Sequence, residues 1–148
     1  ASHELIQPAD RPDGLEAGTL PLPAIASLCA ALGVAKKNAA ANRDKIRSLY
    51  DSLYGGASRI SGVRIYSPPD SPCGIFAFNV DSLAPSETAD ILSSEYDICV
   101  RAGLHCAPLM HESLGLLGSG GCVRASLGFD NTPDQIDFFL RALREISG

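Results

Sequence analysis

The residue whose type and surroundings best suit it to chemistry is Cys106. It lies in the stretch RAGLHCAPLMHESL, which runs from Arg101 to Leu114. It follows a glycine-containing turn and precedes Ala-Pro, which predicts a loop at the end of an apolar, strand-like run. A thiol on such a loop can meet a ligand, and the nearby Arg101 and His105 favour the thiolate, the form that attacks electrophiles. From the residues alone, a metal ligand and a small buried hydrophobe remain the alternatives.

The other four cysteines have different surroundings. They lie within predicted helices or strands among Leu, Ile and Val, so we expect each to be a buried core residue: Cys29, Cys73, Cys99 and Cys122. Five cysteines without a C-x-x-C pair fit reduced thiols better than a disulfide framework.

Four soft or borderline metal ligands lie within an 18-residue window: His105, Cys106, His111 and Cys122. A module that binds zinc, or that accepts sulfur, is therefore an alternative function. The H-C and H-x10-C spacings are not those of a recognised zinc finger.

Arg124 is the second unusual residue, because it lies in the middle of the strand-like run CVRASLG. It either points to solvent as the outer half of an alternating pattern, or reaches into a cleft where its guanidinium holds a carboxylate in a bidentate pair. The local pattern leaves both interpretations open.

Composition excludes several classes of protein. With 148 residues and 45% hydrophobic side chains, the chain is long enough for one compact domain. A net charge of -5 without a basic run argues against nucleic acid or a membrane surface as the partner. No apolar run approaches the ~20 residues of a membrane span, and the first residues are too polar for a secretory signal. We therefore expect a cytoplasmic protein.

The hydrophobic pattern predicts the elements that position these residues. Ala1–Pro23, rich in Pro and Gly, predicts an extended arm, and residues 24–148 predict one small α/β domain. A first helix should run from Ala24 to a stop at Gly33, and a longer second helix should end at Gly55-Gly56. The apolar stripe of that second helix is Ile46, Leu49, Tyr50 and Leu53.

Strand-like runs alternate with two further helices in the rest of the chain. The predicted strands are Val63–Tyr66, Cys73–Val80, Ile98–Ala102 and Cys122–Phe129. A helix should run from Pro85 to about Tyr96, and the last helix should begin with a capping box at Thr132 and Gln135. This order is typical of a small, mostly antiparallel sheet covered by helices, a two-layer α/β sandwich.

Three stretches resemble one enzyme family: LEAGTLPLPAIASL, YDICVRAGLHCAP and GCVRASLGFDNTPDQIDFFLRAL. Together they resemble the C-terminal part of cysteine desulfurases, which are class V aminotransferase-like, fold type I enzymes that use pyridoxal 5'-phosphate (PLP). The resemblance runs from about Asp13 to Ile146, and the arrangement R-x-G-x-H-C-A is similar to the SufS-like branch. It implies the small C-terminal domain of such an enzyme.

The resemblance implies a role for each matching residue. Cys106 matches the nucleophile that takes sulfur from L-cysteine as a persulfide while L-alanine is released. Arg124 matches the arginine that grips the substrate carboxylate, which favours the cleft interpretation. Arg101 and His105 match positions that flank the catalytic loop at the substrate site.

The resemblance also implies a cofactor and a dimer. Thr19, with the Gly18 backbone, matches a contact to the PLP phosphate of the partner subunit in a homodimer. The lysine that holds PLP has no match, because the only lysines are Lys36, Lys37 and Lys45, far from any motif. We therefore expect a fragment that lacks the large PLP-lysine domain and is inactive alone.

The sulfur should pass to an acceptor or scaffold protein, for iron–sulfur cluster assembly or another sulfur transfer. Selenocysteine lyases share the fold, and the same thiol would serve either chalcogen. The resemblance therefore leaves a selenocysteine lyase as an alternative.

Overall fold

A computed structural model describes residues 20–148 of the chain. Its elements, in chain order, are α1 Leu22–Ala57, β1 Val63–Ile65, β2 Ile75–Val80, α2 Pro85–Tyr96, β3 Arg101–Gly103, α3 Pro108–Ser113, β4 Cys122–Ser126 and α4 Pro133–Ile146. The chain divides into two compact units, Ala1–Ala39 and Ala40–Gly148.

The described part of the first unit consists mainly of the beginning of α1. Its large apolar side chains are exposed: Leu22, Ile25, Leu28, Leu32 and Val34. The predicted helix stop at Gly33 is wrong, because α1 continues through this residue. A glycine inside a helix costs only about 1 kcal/mol relative to alanine, and the alanines, leucine and lysines around it are strong helix formers.

The second unit contains a four-stranded sheet in the order β1-β2-β4-β3, with every neighbouring pair antiparallel. β1 and β2 are neighbours in the chain and pair antiparallel, with Val63 opposite Val80. The predicted mixture of helices and a small antiparallel sheet is confirmed.

One face of the sheet forms the core with the helices. Alternate residues of the two central strands are buried there: Phe76, Phe78, Val80, Val123 and Ala125. The helices contribute Leu49, Tyr50, Leu53, Leu92, Ile136, Phe139, Leu140 and Leu143 to the same cluster. The apolar stripe of the last helix, Ile136, Phe139, Leu140 and Leu143, is therefore buried in full. Of the stripe predicted for the earlier helix, Ile46 is only partly buried.

The start of α4 follows the predicted capping box. The Thr132 hydroxyl accepts a hydrogen bond from the Gln135 backbone N–H at 3.3 Å, and the Gln135 side chain accepts one from the Thr132 N–H at 3.1 Å. Two N–H groups that the helix itself leaves unpaired are thereby satisfied.

The predicted strand Ile98–Ala102 differs from β3, which is Arg101–Gly103 at the edge of the sheet. α2 ends in a left-handed residue, Asp97, at φ 54°. The next three residues, 98–100, lead from the helix to the sheet edge without pairing, and Ile98 and Val100 pack against the core. The strand can therefore pair only from Arg101 onward.

The prediction of four buried cysteines is wrong for three of them. Cys29, Cys73 and Cys99 are exposed, and only Cys122 is buried. Cys29 lies on the exposed part of α1, Cys73 in the turn before β2 and Cys99 in the unpaired segment before β3. Apolar neighbours in sequence did not bury these thiols. Leu28, beside Cys29, is itself exposed, and Cys99 is exposed although Ile98 and Val100 on either side of it pack against the core.

Candidate functional site

Cys106 lies in a tight turn between β3 and α3, and its side chain is exposed. The turn is closed by a hydrogen bond from the Ala107 N–H to the Leu104 carbonyl at 2.8 Å. Within it, His105 and Cys106 both have left-handed backbones, at φ 52° and 57°. Such conformations cost about 1–2 kcal/mol for a residue with a side chain, and they persist only where the surroundings enforce them.

Contacts on both sides hold this turn. The His105 Nε2 lies 3.0 Å from the Cys122 carbonyl oxygen at the start of β4. On the other side, the Ala107 carbonyl accepts from the His111 backbone N–H at 3.2 Å and lies 3.0 Å from His111 Nδ1. The thiol of Cys106 is therefore presented to solvent on a turn with two anchors.

A glycine allows β4 to begin beside the end of β3. Gly121 has φ 96°, and a Cβ at this position would overlap the Gly103 carbonyl. The buried Asn79 side chain fixes the same point, because its amide donates to the Gly121 carbonyl at 3.1 Å and accepts from the Val123 N–H at 3.2 Å. Cys122 is thereby placed directly opposite Gly103 in the sheet.

Two arginines lie next to each other on the sheet face opposite the core. Arg101 of β3 and Arg124 of β4 are direct cross-strand partners, so their side chains share a face. Arg101 is exposed and Arg124 is partly buried. Among residues 20–148, the Arg124 Nε is buried without a hydrogen-bond partner. Within residues 20–148 neither arginine forms a salt bridge, and two like charges side by side favour an anionic ligand at this place.

Burial and charge set the protonation of the groups beneath the turn. Burial lowers the pKa of His105, the positive charges of Arg124 and Arg101 act in the same direction, and the hydrogen bond to the Cys122 carbonyl opposes them. Burial also raises the pKa of the Cys122 thiol, although Arg124 lowers it slightly. Near neutral pH, His105 is therefore a neutral imidazole and Cys122 a protonated thiol.

The structure brings four of the six residues named from sequence to one end of the sheet. Arg101 pairs with Arg124, and His105, which precedes Cys106, contacts the strand two residues before Arg124. Gly18 and Thr19 lie outside the described residues, so their roles stay predictions. The sequence pattern left open which way the Arg124 side chain points. In the structure it lies on the same face of the sheet as Arg101.

α3 was not predicted from the sequence. The signal was available, because Pro108 occupies the first helical turn as Pro85 and Pro133 do in α2 and α4. α3 matters for the site, since it buries His111 against Cys122, with His111 Nε2 3.4 Å from the Cys122 Sγ.

The residues present do not by themselves provide the lysine that a PLP Schiff base requires. All three lysines lie on α1 and are exposed, and none belongs to the turn or to the strands that carry Cys106 and Arg124. A cavity of about 490 Å³ elsewhere in the second unit is lined mainly by apolar residues from the end of α2 and the segment that follows it, from β4 and from α4, and by none of the candidate residues.

No helix within residues 20–148 combines the length and apolar character that crossing a membrane requires.

Comparison with known proteins gives one family over nearly the whole chain. The family model for aminotransferase class-V proteins matches residues 1–139. A probable cysteine desulfurase from Methanothermobacter thermautotrophicus is 34% identical over 146 residues, which cover 94% of this chain but 35% of that relative. The chain thus spans about a third of the length of the relatives it matches.

Solved structures show the same similarity. The cysteine desulfurase CsdA from Escherichia coli, in an S-sulfonic acid form, is 31% identical, with a TM-score of 0.74 over 90% of this chain and 32% of that one. The apo cysteine desulfurase from Thermococcus onnurineus is 27% identical, with a TM-score of 0.82 over 94% of this chain and 34% of that one.

Proposed function

Because the chain belongs to the aminotransferase class-V family, we propose that it serves as the C-terminal part of a PLP-dependent cysteine desulfurase. The names and structures of its relatives support this assignment. Since the chain covers about a third of those relatives, the activity belongs to a longer protein.

The observation that carries the proposal is the exposed thiol of Cys106 on its anchored, left-handed turn. In the reaction, the Cys106 thiolate bonds to the sulfur atom of L-cysteine, and the carbon–sulfur bond of the substrate breaks. The substrate carbon keeps the electron pair and takes up a proton. The products are L-alanine and a Cys106 persulfide, so atoms and charge balance.

Arg124 holds the substrate carboxylate in this proposal. Its buried Nε without a partner among the described residues and its position beside Arg101 support an anion site on this face of the sheet. A planar guanidinium binds a carboxylate through two parallel hydrogen bonds, which also orients the substrate. Arg101 adds positive charge, and His105 holds the turn through the Cys122 carbonyl.

PLP and its lysine come from outside this chain, because the chain's lysines are all on α1. When bound, the cofactor delocalises the electron pair that carbon–sulfur cleavage leaves on the substrate. Thr19 and the Gly18 backbone are proposed to contact the cofactor phosphate of a partner subunit, which makes the complete enzyme a homodimer.

The persulfide is proposed to pass to a sulfur acceptor or scaffold protein, as iron–sulfur cluster assembly requires. Its carrier, Cys106, is exposed on the surface of the chain, so a second protein can reach it. The cytoplasm is the proposed location, because five free cysteines, four of them exposed, suit a reducing compartment.

The test uses the longer protein, loaded with PLP and supplied with L-cysteine. Wild-type protein should release L-alanine and gain one sulfur atom on Cys106, located by peptide mapping in a mass spectrometer. Cys106→Ala should lose both signals, because no other described cysteine occupies the turn.

Cys99→Ala is the matched control, since Cys99 is also an exposed cysteine close to β3. It should keep alanine release and the sulfur on Cys106. Full alanine release by Cys106→Ala, or sulfur spread equally over the exposed cysteines, contradicts the proposal.

A further inference from the structure

We propose that His105, His111 and Cys122 form a binding site for a zinc ion, with three protein ligands and one open position. A ring nitrogen of each histidine and the Cys122 Sγ lie within 4.8 Å of one another. His111 and Cys122 are buried, and His105 is partly exposed at the edge of the cluster. The site stands on these residues alone and does not depend on the proposed function.

The hydrogen bonds of His111 prepare one of its nitrogens for a metal. Its Nδ1 lies 3.0 Å from the Ala107 carbonyl oxygen. A carbonyl can only accept, so Nδ1 carries the proton and Nε2 keeps its lone pair. That Nε2 is the atom 3.4 Å from the Cys122 Sγ.

The hydrogen bond of His105 likewise leaves one ring nitrogen, Nδ1, free to bind a metal. Its Nε2 lies 3.0 Å from the Cys122 carbonyl oxygen and therefore donates. Its Nδ1 keeps a lone pair, and this atom is buried without a hydrogen-bond partner among residues 20–148. Both histidines thus have their tautomers set by backbone carbonyls, which is the usual outer support of metal-binding histidines.

The spacing suits a tetrahedral zinc ion. Zinc bonds of about 2.0–2.1 Å to nitrogen and 2.3 Å to sulfur place neighbouring nitrogen and sulfur ligands about 3.5 Å apart. The His111 and Cys122 atoms, 3.4 Å apart, already have this separation. The limit of 4.8 Å on the separations in the cluster exceeds the ligand separation of a tetrahedral ion by roughly 1 Å, so the three side chains need to draw together on binding.

A simple hydrogen bond between Cys122 and His111 explains only part of the cluster. The thiol can donate to His111 Nε2, but this leaves His105 Nδ1 buried and unsatisfied among the described residues. A cation bound to the Cys122 thiolate and both lone pairs satisfies all three groups at once.

Three protein ligands leave the fourth position of a tetrahedral ion for water or another small ligand. Cys106 does not belong to the cluster, although it follows His105 in the chain. A bound ion would hold the His105 ring and with it the turn that carries Cys106. Zinc is therefore expected to stiffen this turn without occupying the exposed thiol.

The test begins with chain that has been freed of metal by a chelator under reducing conditions. Zn²⁺ is then titrated in competition with a coloured chelator. Wild type should bind one ion per chain, and His111→Ala and Cys122→Ser should each weaken binding by at least about 100-fold. Cys99→Ser and Cys106→Ser, which change exposed thiols outside the cluster, should bind as wild type does.

Two readouts on the wild type avoid any dependence on how the variants fold. Co²⁺ in place of Zn²⁺ should give a thiolate charge-transfer absorption, and Zn²⁺ should slow alkylation of Cys122 in partly destabilising conditions while Cys106 still reacts. Absence of the cobalt signal, no binding by wild type, or wild-type affinity in folded Cys122→Ser overturns the proposal.

Discussion

Cys106 and Arg124 are held at the candidate site by different kinds of local structure. Cys106 occupies a strained turn held by two histidine contacts, whereas Arg124 lies in a regular strand whose alternation directs it away from the core. The turn exposes the Cys106 thiol to solvent, and the strand places the Arg124 guanidinium on the sheet face opposite the core. The proposed substrate, which has a carboxylate and a sulfur atom close together, fits these two separate positions.

Arg124→Ala, in the longer PLP-loaded protein, should raise the KM for L-cysteine more than it lowers kcat. A charge-assisted hydrogen-bonded pair is worth about 1.5–3 kcal/mol, which corresponds to roughly a 10- to 100-fold loss in apparent affinity. Steady-state alanine release over a range of L-cysteine concentrations measures both constants.

Arg144→Ala provides the control, because Arg144 is an exposed arginine on α4, in the helical layer on the other side of the sheet. Its KM should equal that of wild type. An unchanged KM in Arg124→Ala would mean that another group binds the carboxylate.

Among the helices, α4 has the most complete set of sequence signals for where a helix begins and which face it buries. It begins with a capping box, has Pro133 in its first turn and buries its whole apolar stripe on the sheet. At Gly33, where a helix end was predicted, α1 has no capping residues of this kind, and the helix continues through the glycine. Local capping chemistry is therefore a better guide to helix boundaries here than a single glycine.

Thr132→Ala should lower the free energy of unfolding by about 1 kcal/mol, within a usual range of roughly 0.5–2 kcal/mol. The substitution removes the acceptor for the Gln135 N–H at the start of α4. Urea denaturation followed by circular dichroism measures the change.

Ser94→Ala tests whether removal of any helix hydroxyl has this effect. Ser94 is exposed in the last turn of α2, so the loss of its hydroxyl should change the unfolding free energy by no more than about 0.5 kcal/mol. Equal losses in the two variants would rule out a special role for the cap.

Over the whole chain, tertiary packing separates the cysteines into one buried thiol and four exposed ones. Cys122 is covered because α3 places His111 beside it at the start of β4. The others lie on the exposed part of α1, in turns or in the segment beside the sheet edge.

Iodoacetamide should therefore modify four thiols in the folded chain and the fifth only after unfolding. Cys122, 4% exposed, should be the late one, because a buried thiol is inaccessible to the reagent. Peptide mapping of samples taken over time identifies each site. Equally fast labelling of Cys122 and Cys99 would show that α3 does not cover the strand.

The sequence by itself determined the chain order of the four strands and of α2 and α4, and the candidate residues for chemistry, but neither α3 nor the unbroken length of α1. Helical stripes such as Ile136 to Leu143, and the alternation around Arg124, follow from the geometry of single helices and strands. Family motifs around Cys106 and Arg124 indicated the chemistry for the same reason, because they are local in sequence. Their roles at the site stay predictions.

Only the tertiary structure decided which side chains meet. The pairing of β3 with β4 places Arg101 against Arg124. The position of α3 brings His105, His111 and Cys122 together, although the segment 114–121 separates α3 from β4 in the chain. The same packing decided which cysteines are buried. Sequence neighbours carry no information on these contacts, because they depend on strand register and on the path of the chain between elements.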